Sequence, residues 1–130
     1  MIEKAGARET SQAEQKMALS TKRQKDIAKA LTLLIPGAPF IDAEPIRQTA
    51  AKRRYKALPP STSVWLAAVS HIRHVHTGYD ALLDEGYERD AARHFVLDPI
   101  NAVLTQWRAT RYLDPEEAAE EALADDDETG

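Results

Sequence analysis

The sequence contains no cysteine, which excludes disulfides and thiolate metal sites. Its five glycines form no glycine-rich phosphate loop and no nucleophile elbow. Two Phe, two Trp and four Tyr leave little aromatic bulk for a core. The longest uninterrupted apolar run, Val64 to Val69, falls far short of the roughly 20 residues that span a bilayer. The first residues, MIEKAGARETSQAEQ, are charged, lack an apolar stretch and do not read as a signal peptide. No segment sustains period-2 alternation and no repeat is visible, so no sheet is expected. These absences together predict a cytoplasmic protein with no membrane segment.

What is present is a single-domain length of 130 residues with 43% apolar side chains, mostly Ala, Leu, Ile and Val, which suit close helix packing. The net charge of −4 is unevenly distributed. Residues 1–19 balance three basic against three acidic groups, residues 20–113 carry fourteen basic against nine acidic, and residues 114–130 carry nine acidic and no basic. A mildly basic body is thus joined to a strongly acidic tail.

The fold expected is all-α: a compact bundle of four to five short helices over 20–113, a polar head over 1–19 and a disordered acidic tail over 114–130, with a helix as the alternative for the first half of that tail. Ser20 or Thr21 caps a first helix, whose Ile27, Ala30, Leu31 and Leu34 share one face. Pro36-Gly37-Ala38-Pro39 stops it. Asp42 is the N-cap candidate for a helix over about 43–55, with Glu44 and Pro45 in its first turn. A central helix over about 62–76 buries Trp65, Ala68, Val69 and Ile72. Thr77 and Asp80 have the spacing of a capping box for a short helix ended by Gly86. A last segment over about 88–110 presents Ile100, Val103, Leu104 and Trp107 on one face. Pro99 breaks or kinks it, with Asp98-Pro99 reading as N-cap and N1. Trp65, Val69, Ile72, Phe95, Val103, Leu104 and Trp107 are the expected core.

Ile35-Pro36-Gly37-Ala38-Pro39-Phe40, Leu58-Pro59-Pro60 and the block His71-Ile72-Arg73-His74-Val75-His76-Thr77-Gly78-Tyr79-Asp80-Ala81-Leu82-Leu83 carry a family likeness. Arg89 to Arg93 and Asn101 to Trp107 extend it. The stretch from Ile35 to Leu113 resembles domain of unknown function 2293. That resemblance implies no activity, substrate or cofactor.

The candidate chemistry is therefore read from the residues. His71, Arg73, His74, Tyr79 and Asp80 make a dense polar motif and are the candidate anion or partner contacts. As a metal site, His71 and His74 lie about 60° apart on a helix while His76 points about 160° from His74. A site would then need His94 or a carboxylate from another helix. As a small hydrolase, a histidine would work with Asp80 as general base and Arg73 would hold an anion. As a structural corner, His76 is a hydrogen-bonded core histidine, Thr77 caps, and Arg73 pairs with Asp80, Asp84 or an acidic group of the last helix. No metal and no cofactor is assigned.

The second candidate surface is Arg47, Lys52, Arg53, Arg54, Tyr55 and Lys56. Cations there would neutralise phosphates while Tyr55 stacks on a base, with Lys22, Arg23, Lys25 and Lys29 adding charge. The opposing reading is a solvated helix end. The function expected is a non-enzymatic binding or adaptor module. Its candidate partners are nucleic acid, restrained by the acidic tail, and a protein or a second copy. A hydrolase or metal site at the histidine motif is the alternative.

Overall fold

The computed structural model describes residues 14–15 and 21–120, the side chains of 119 and 120 excepted. Among these residues all regular structure is helical. Helix α1 covers 21–34, and α2 spans Phe40–Ala50. A 3₁₀ turn, Arg53–Tyr55, leads to α3, Pro60–His76. The remaining helices are α4, Tyr79–Asp84, α5, Arg89–Phe95, α6, Leu97–Gln106, and α7, Pro115–Glu120.

α3 is the axis, since α2, α4 and α6 all pack on it. Its apolar positions recur every three or four residues, so Val64, Trp65, Ala68, Val69 and Ile72 are all buried. They meet Ile27, Leu31, Ile46, Ile100 and Leu104 from the neighbouring helices. Each fully buried Ile or Leu contributes about 1.5–3 kcal/mol by leaving water. The expected core holds at Trp65, Val69, Ile72, Leu104 and Trp107, and Val103 packs half-buried at its edge. Phe95 does not belong to it. That ring is 60% exposed and rests edge-on against Tyr87 at 5.6 Å.

Two junctions differ from expectation. The helix placed over 43–55 starts earlier, at Phe40 after the extended Pro39, and ends at Ala50, so the basic run lies in a turn. Asp42 is inside the first turn of α2 and buried; it is not a cap. The long last segment does break, but at Val96, with Pro99 inside the first turn of α6. Ending α5 at Phe95 removes the crowding Pro99 would impose on that residue's carbonyl in a continuous helix.

The first six residues of the acidic segment after Asp114 are helical, in the half of the tail where acidic residues near a helix N-terminus left a helix open, and Ala118 is buried. Asp114 Oδ1 accepts the Glu117 amide at 2.8 Å, which makes Asp114-Pro115 an N-cap and N1 pair. Asn101 clasps the segment from α6: its Nδ2 donates to the Leu113 carbonyl and its Oδ1 accepts the Leu113 amide, both at 2.9 Å. Leu113 is thereby pinned in the core. The remaining acidic positions, 121–130, and most of the head lie outside the described residues.

The turn between α1 and α2 is tied to the far end of α6. Gly37 donates its amide to the Trp107 carbonyl at 2.8 Å, and Thr110 donates its own to the Leu34 carbonyl at 2.9 Å.

Candidate functional site

α2 and α3 run antiparallel, which brings the first turn of α2 against the last turns of α3. On α3, His71 and His76 are five residues apart and project about 140° from one another. They converge because the Asp42 carboxylate enters from α2 and His76 is the last helical residue, before the extended Thr77. His71 Nε2 donates to Asp42 Oδ1 at 2.8 Å, and His76 Nε2 donates to the same oxygen at 2.6 Å.

The two rings stand edge to face, 5.9 Å apart. His76 also meets the ring of Trp107, from the end of α6, at 5.7 Å. The side chain of Asp42 is 8% exposed, that of His71 14% and that of His76 35%, so the cluster is walled inside and open at His76. Burial pushes the Asp42 pKa up. The hydrogen bonds from His71 and His76, with their charges, outweigh that effect and hold it below the ordinary 3.8. The carboxylate is therefore ionised at neutral pH. One anionic oxygen and two imidazole nitrogens lie within 4.8 Å of one another, a donor set suited to a proton or a divalent cation.

The motif chosen from sequence separates in three directions. His74 turns away from the Asp42 cluster, its Nδ1 2.7 Å from Asp80 Oδ1, with its ring edge-on to Tyr79 at 5.2 Å. Arg73 is wholly buried, its guanidinium 5.6 Å above the Tyr79 ring, which is buried too. Neither Arg73 nor Tyr79 is an exposed anion or partner contact. A hydrolase built on Arg73, His74 and Asp80 loses its anion-binding member, because a substrate at the half-exposed His74–Asp80 pair would not reach Arg73. In the corner reading the N-cap of α4 is Gly78 rather than Thr77, but Thr77 still braces the corner: its Oγ1 accepts the Tyr79 amide at 3.2 Å and donates to the Arg73 carbonyl. Asp80 bonds His74 rather than closing the box.

The metal reading asked for His71 and His74 with His94 or a carboxylate from another helix, and the structure supplies the carboxylate but a different second histidine. His71 pairs with His76, not with His74, and the carboxylate comes from Asp42. No local signal in Ile41-Asp42-Ala43-Glu44-Pro45 marks it, because an aspartate before a helix reads as a cap. Only the antiparallel packing of two elements 29 residues apart joins it to His71.

The basic run is largely absorbed into the fold. Tyr55 is 0% exposed and cannot stack on a base. Arg54 lies over its ring at 4.9 Å and donates to its hydroxyl at 3.2 Å. Arg47 pairs with Glu44 inside α2. Arg23 is a strut from α1, donating to the carbonyls of Tyr55 and Leu58 at 2.8 and 3.2 Å. Lys52, Arg53 and Lys56 remain at the surface, as do Lys25 and Lys29 on α1.

A protein-interaction role predicts an exposed apolar patch, but the sequence singles out no residues for it. Phe40 and Ile41, in the first turn of α2, are 78% and 79% exposed, and Leu33, in the last turn of α1, is 68% exposed. Val75, in the last turn of α3, is also exposed. All four lie at the end of the bundle that holds the Asp42 cluster.

No described helix is long and apolar enough to cross a membrane. Comparison with curated proteins and with solved structures finds no match for the chain. The family described as "Uncharacterized conserved protein (DUF2293)" matches residues 30–108. That span takes in α2, α3 and α6, with Asp42, His71, His76 and Trp107, and the chain belongs to this family.

Proposed function

We propose that the protein is a non-enzymatic binding module that docks a protein partner through the apolar surface at the α1–α2 turn. The observation that carries this reading is the placement of phenylalanine. The chain has two, and Phe40 and Phe95 are 78% and 60% exposed. A chain with so little aromatic bulk would gain about 2–3 kcal/mol by burying each ring. Ile41 follows Phe40 in α2 and Leu33 lies in the last turn of α1 before the same turn, both exposed as well, and exposed apolar surface is where interaction sites are found. The nucleic-acid reading keeps Lys52, Arg53 and Lys56 but has neither the Tyr55 platform nor Arg23 and Arg54 as phosphate contacts.

The test compares the full chain with Phe40→Asp and with the triple charge reversal Lys52→Glu, Arg53→Glu, Lys56→Glu. Each is used as bait in cell extract, with and without nuclease, and is sedimented alone. A nuclease-resistant partner lost with Phe40→Asp and kept by the triple variant supports the proposal. A homodimer dissolved by Phe40→Asp makes the partner a second copy. Nuclease-sensitive capture lost only in the triple variant overturns the proposal in favour of nucleic acid.

A further inference from the structure

We propose that Asp42, His71 and His76 form a binding site for a divalent transition-metal ion, with zinc as the ion it fits best. The site does not depend on the partner proposed above. Three observations support it. First, both imidazoles present Nε2 to a single carboxylate oxygen, at 2.8 and 2.6 Å. A neutral core needs one such bond to hold α2 to α3; two histidines aimed at one oxygen make a convergent set. Second, the donors come from two helices already locked together, so the ion need not organise the protein around itself. Third, the Trp107 ring edges against His76 at 5.7 Å and supplies the apolar wall that controls solvent access at metal sites.

The dimensions agree. Ligand atoms about 2.0–2.1 Å from a tetrahedral zinc stand roughly 3.3 Å from one another. The Asp42–His71 and Asp42–His76 contacts, now 2.8 and 2.6 Å, would open by about 0.5–0.7 Å, which rotation of His76 at the exposed end of α3 allows. Two imidazoles and one carboxylate, with no thiolate in the chain, favour zinc and its first-row neighbours over magnesium or calcium, which take oxygen. Three protein ligands leave a coordination position for water or for a donor from a bound partner. The five-residue histidine spacing differs from the i, i+4 pattern of helix-borne zinc pairs, and it works here because the carboxylate enters between the two rings.

The chain has four histidines, so every imidazole can be tested. The full-length protein, freed of metal by chelation, is titrated with Zn²⁺ by calorimetry and with Co²⁺ by visible absorption. Expected is one ion per chain with a Kd below about 100 μM, intense cobalt bands of a low-symmetry site, and a melting temperature raised by zinc. His71→Gln and His76→Gln each weaken binding at least about tenfold and abolish the cobalt bands. His74→Gln, which removes the other histidine–carboxylate pair, and His94→Gln, at an exposed position, leave binding unchanged. Asp42→Asn weakens it likewise. Should that variant fail to fold, His76→Gln, at the open rim and checked by circular dichroism, decides alone. Absence of saturable binding at about 100 μM, or binding that neither His71→Gln nor His76→Gln weakens tenfold, overturns the proposal.

Discussion

Gly37 shows how one missing side chain joins distant parts of the chain. A Cβ there would stand 2.9 Å from the carbonyl oxygen of Trp107, the same oxygen that accepts the Gly37 amide. Backbone cannot move aside as a flexible side chain can. Gly37→Ala is therefore expected to cost about 1–3 kcal/mol, read as a lower urea midpoint with an unchanged slope. Sequence identified Gly37 as part of a helix stop but not as a contact, because its partner lies 70 positions on. The same limit hid Asp42. Tyr55 and Phe95 were misread for a related reason: local pattern places an aromatic on a face, and only the neighbouring elements decide whether that face is covered. Arg54 lies over the Tyr55 ring and Arg23 of α1 holds its carbonyl, whereas Phe95, 60% exposed, has the Tyr87 ring edge-on beside it.

Among the elements, the apolar stripes of α1, α3 and α6 were legible because the 3.6-residue period is a property of the helix itself. The junctions were less so. Asp-Pro occurs at 98–99 and again at 114–115, and local chemistry allows both to start a helix. Only Asp114 does so; at 98–99 the chain has already restarted at Leu97. Helix ends show a similar contrast. α4 and α6 finish in the same two-bond geometry, with Tyr87 N to Leu82 O at 3.1 Å and Ala109 N to Leu104 O at 2.9 Å. The left-handed position is Gly86 in the first, at φ 102°, and Arg108 in the second, at φ 57°. Glycine is at ease there and arginine is not. Gly86→Ala is expected to destabilise by about 1 kcal/mol and Arg108→Gly to stabilise by about 0.5–1 kcal/mol. Thermal melts moving in opposite directions would bear this out. Melts moving together would mean that side-chain contacts, not backbone, set these ends.

For the whole molecule, the acidic segment contributes more to the fold than its composition suggests. Its few apolar groups argued for disorder, yet Asn101, Leu113, Asp114 and Ala118 close it onto the body. Arg111 adds a guanidinium 4.1 Å above the Trp65 ring and an ion pair to Glu117. A chain ending at 113 is expected to be about 2 kcal/mol less stable than one ending at 120. Asn101→Ala, losing two hydrogen bonds to buried backbone, should cost a similar amount and open the 111–114 segment to limited proteolysis. Equal melting of the two truncations would show that α7 rests on α5 without stabilising it.

The tie between the α1–α2 turn and the end of α6 also sets an order of events during synthesis. Thr110 bonds the carbonyl of Leu33, 77 positions earlier, through its hydroxyl at 3.2 Å. At roughly 5–20 residues per second, that partner emerges about 4–15 s after Leu33. Until then α1 has no lock on α6, and Ile35 has only part of its final surroundings. The Asp42 carboxylate, by contrast, meets His71 and His76 as soon as α3 is complete. The antiparallel pair of α2 and α3, with the Arg23 strut of α1 already within reach of Tyr55 and Leu58, can therefore close before α6 emerges, and α6 fastens the α1–α2 turn afterwards.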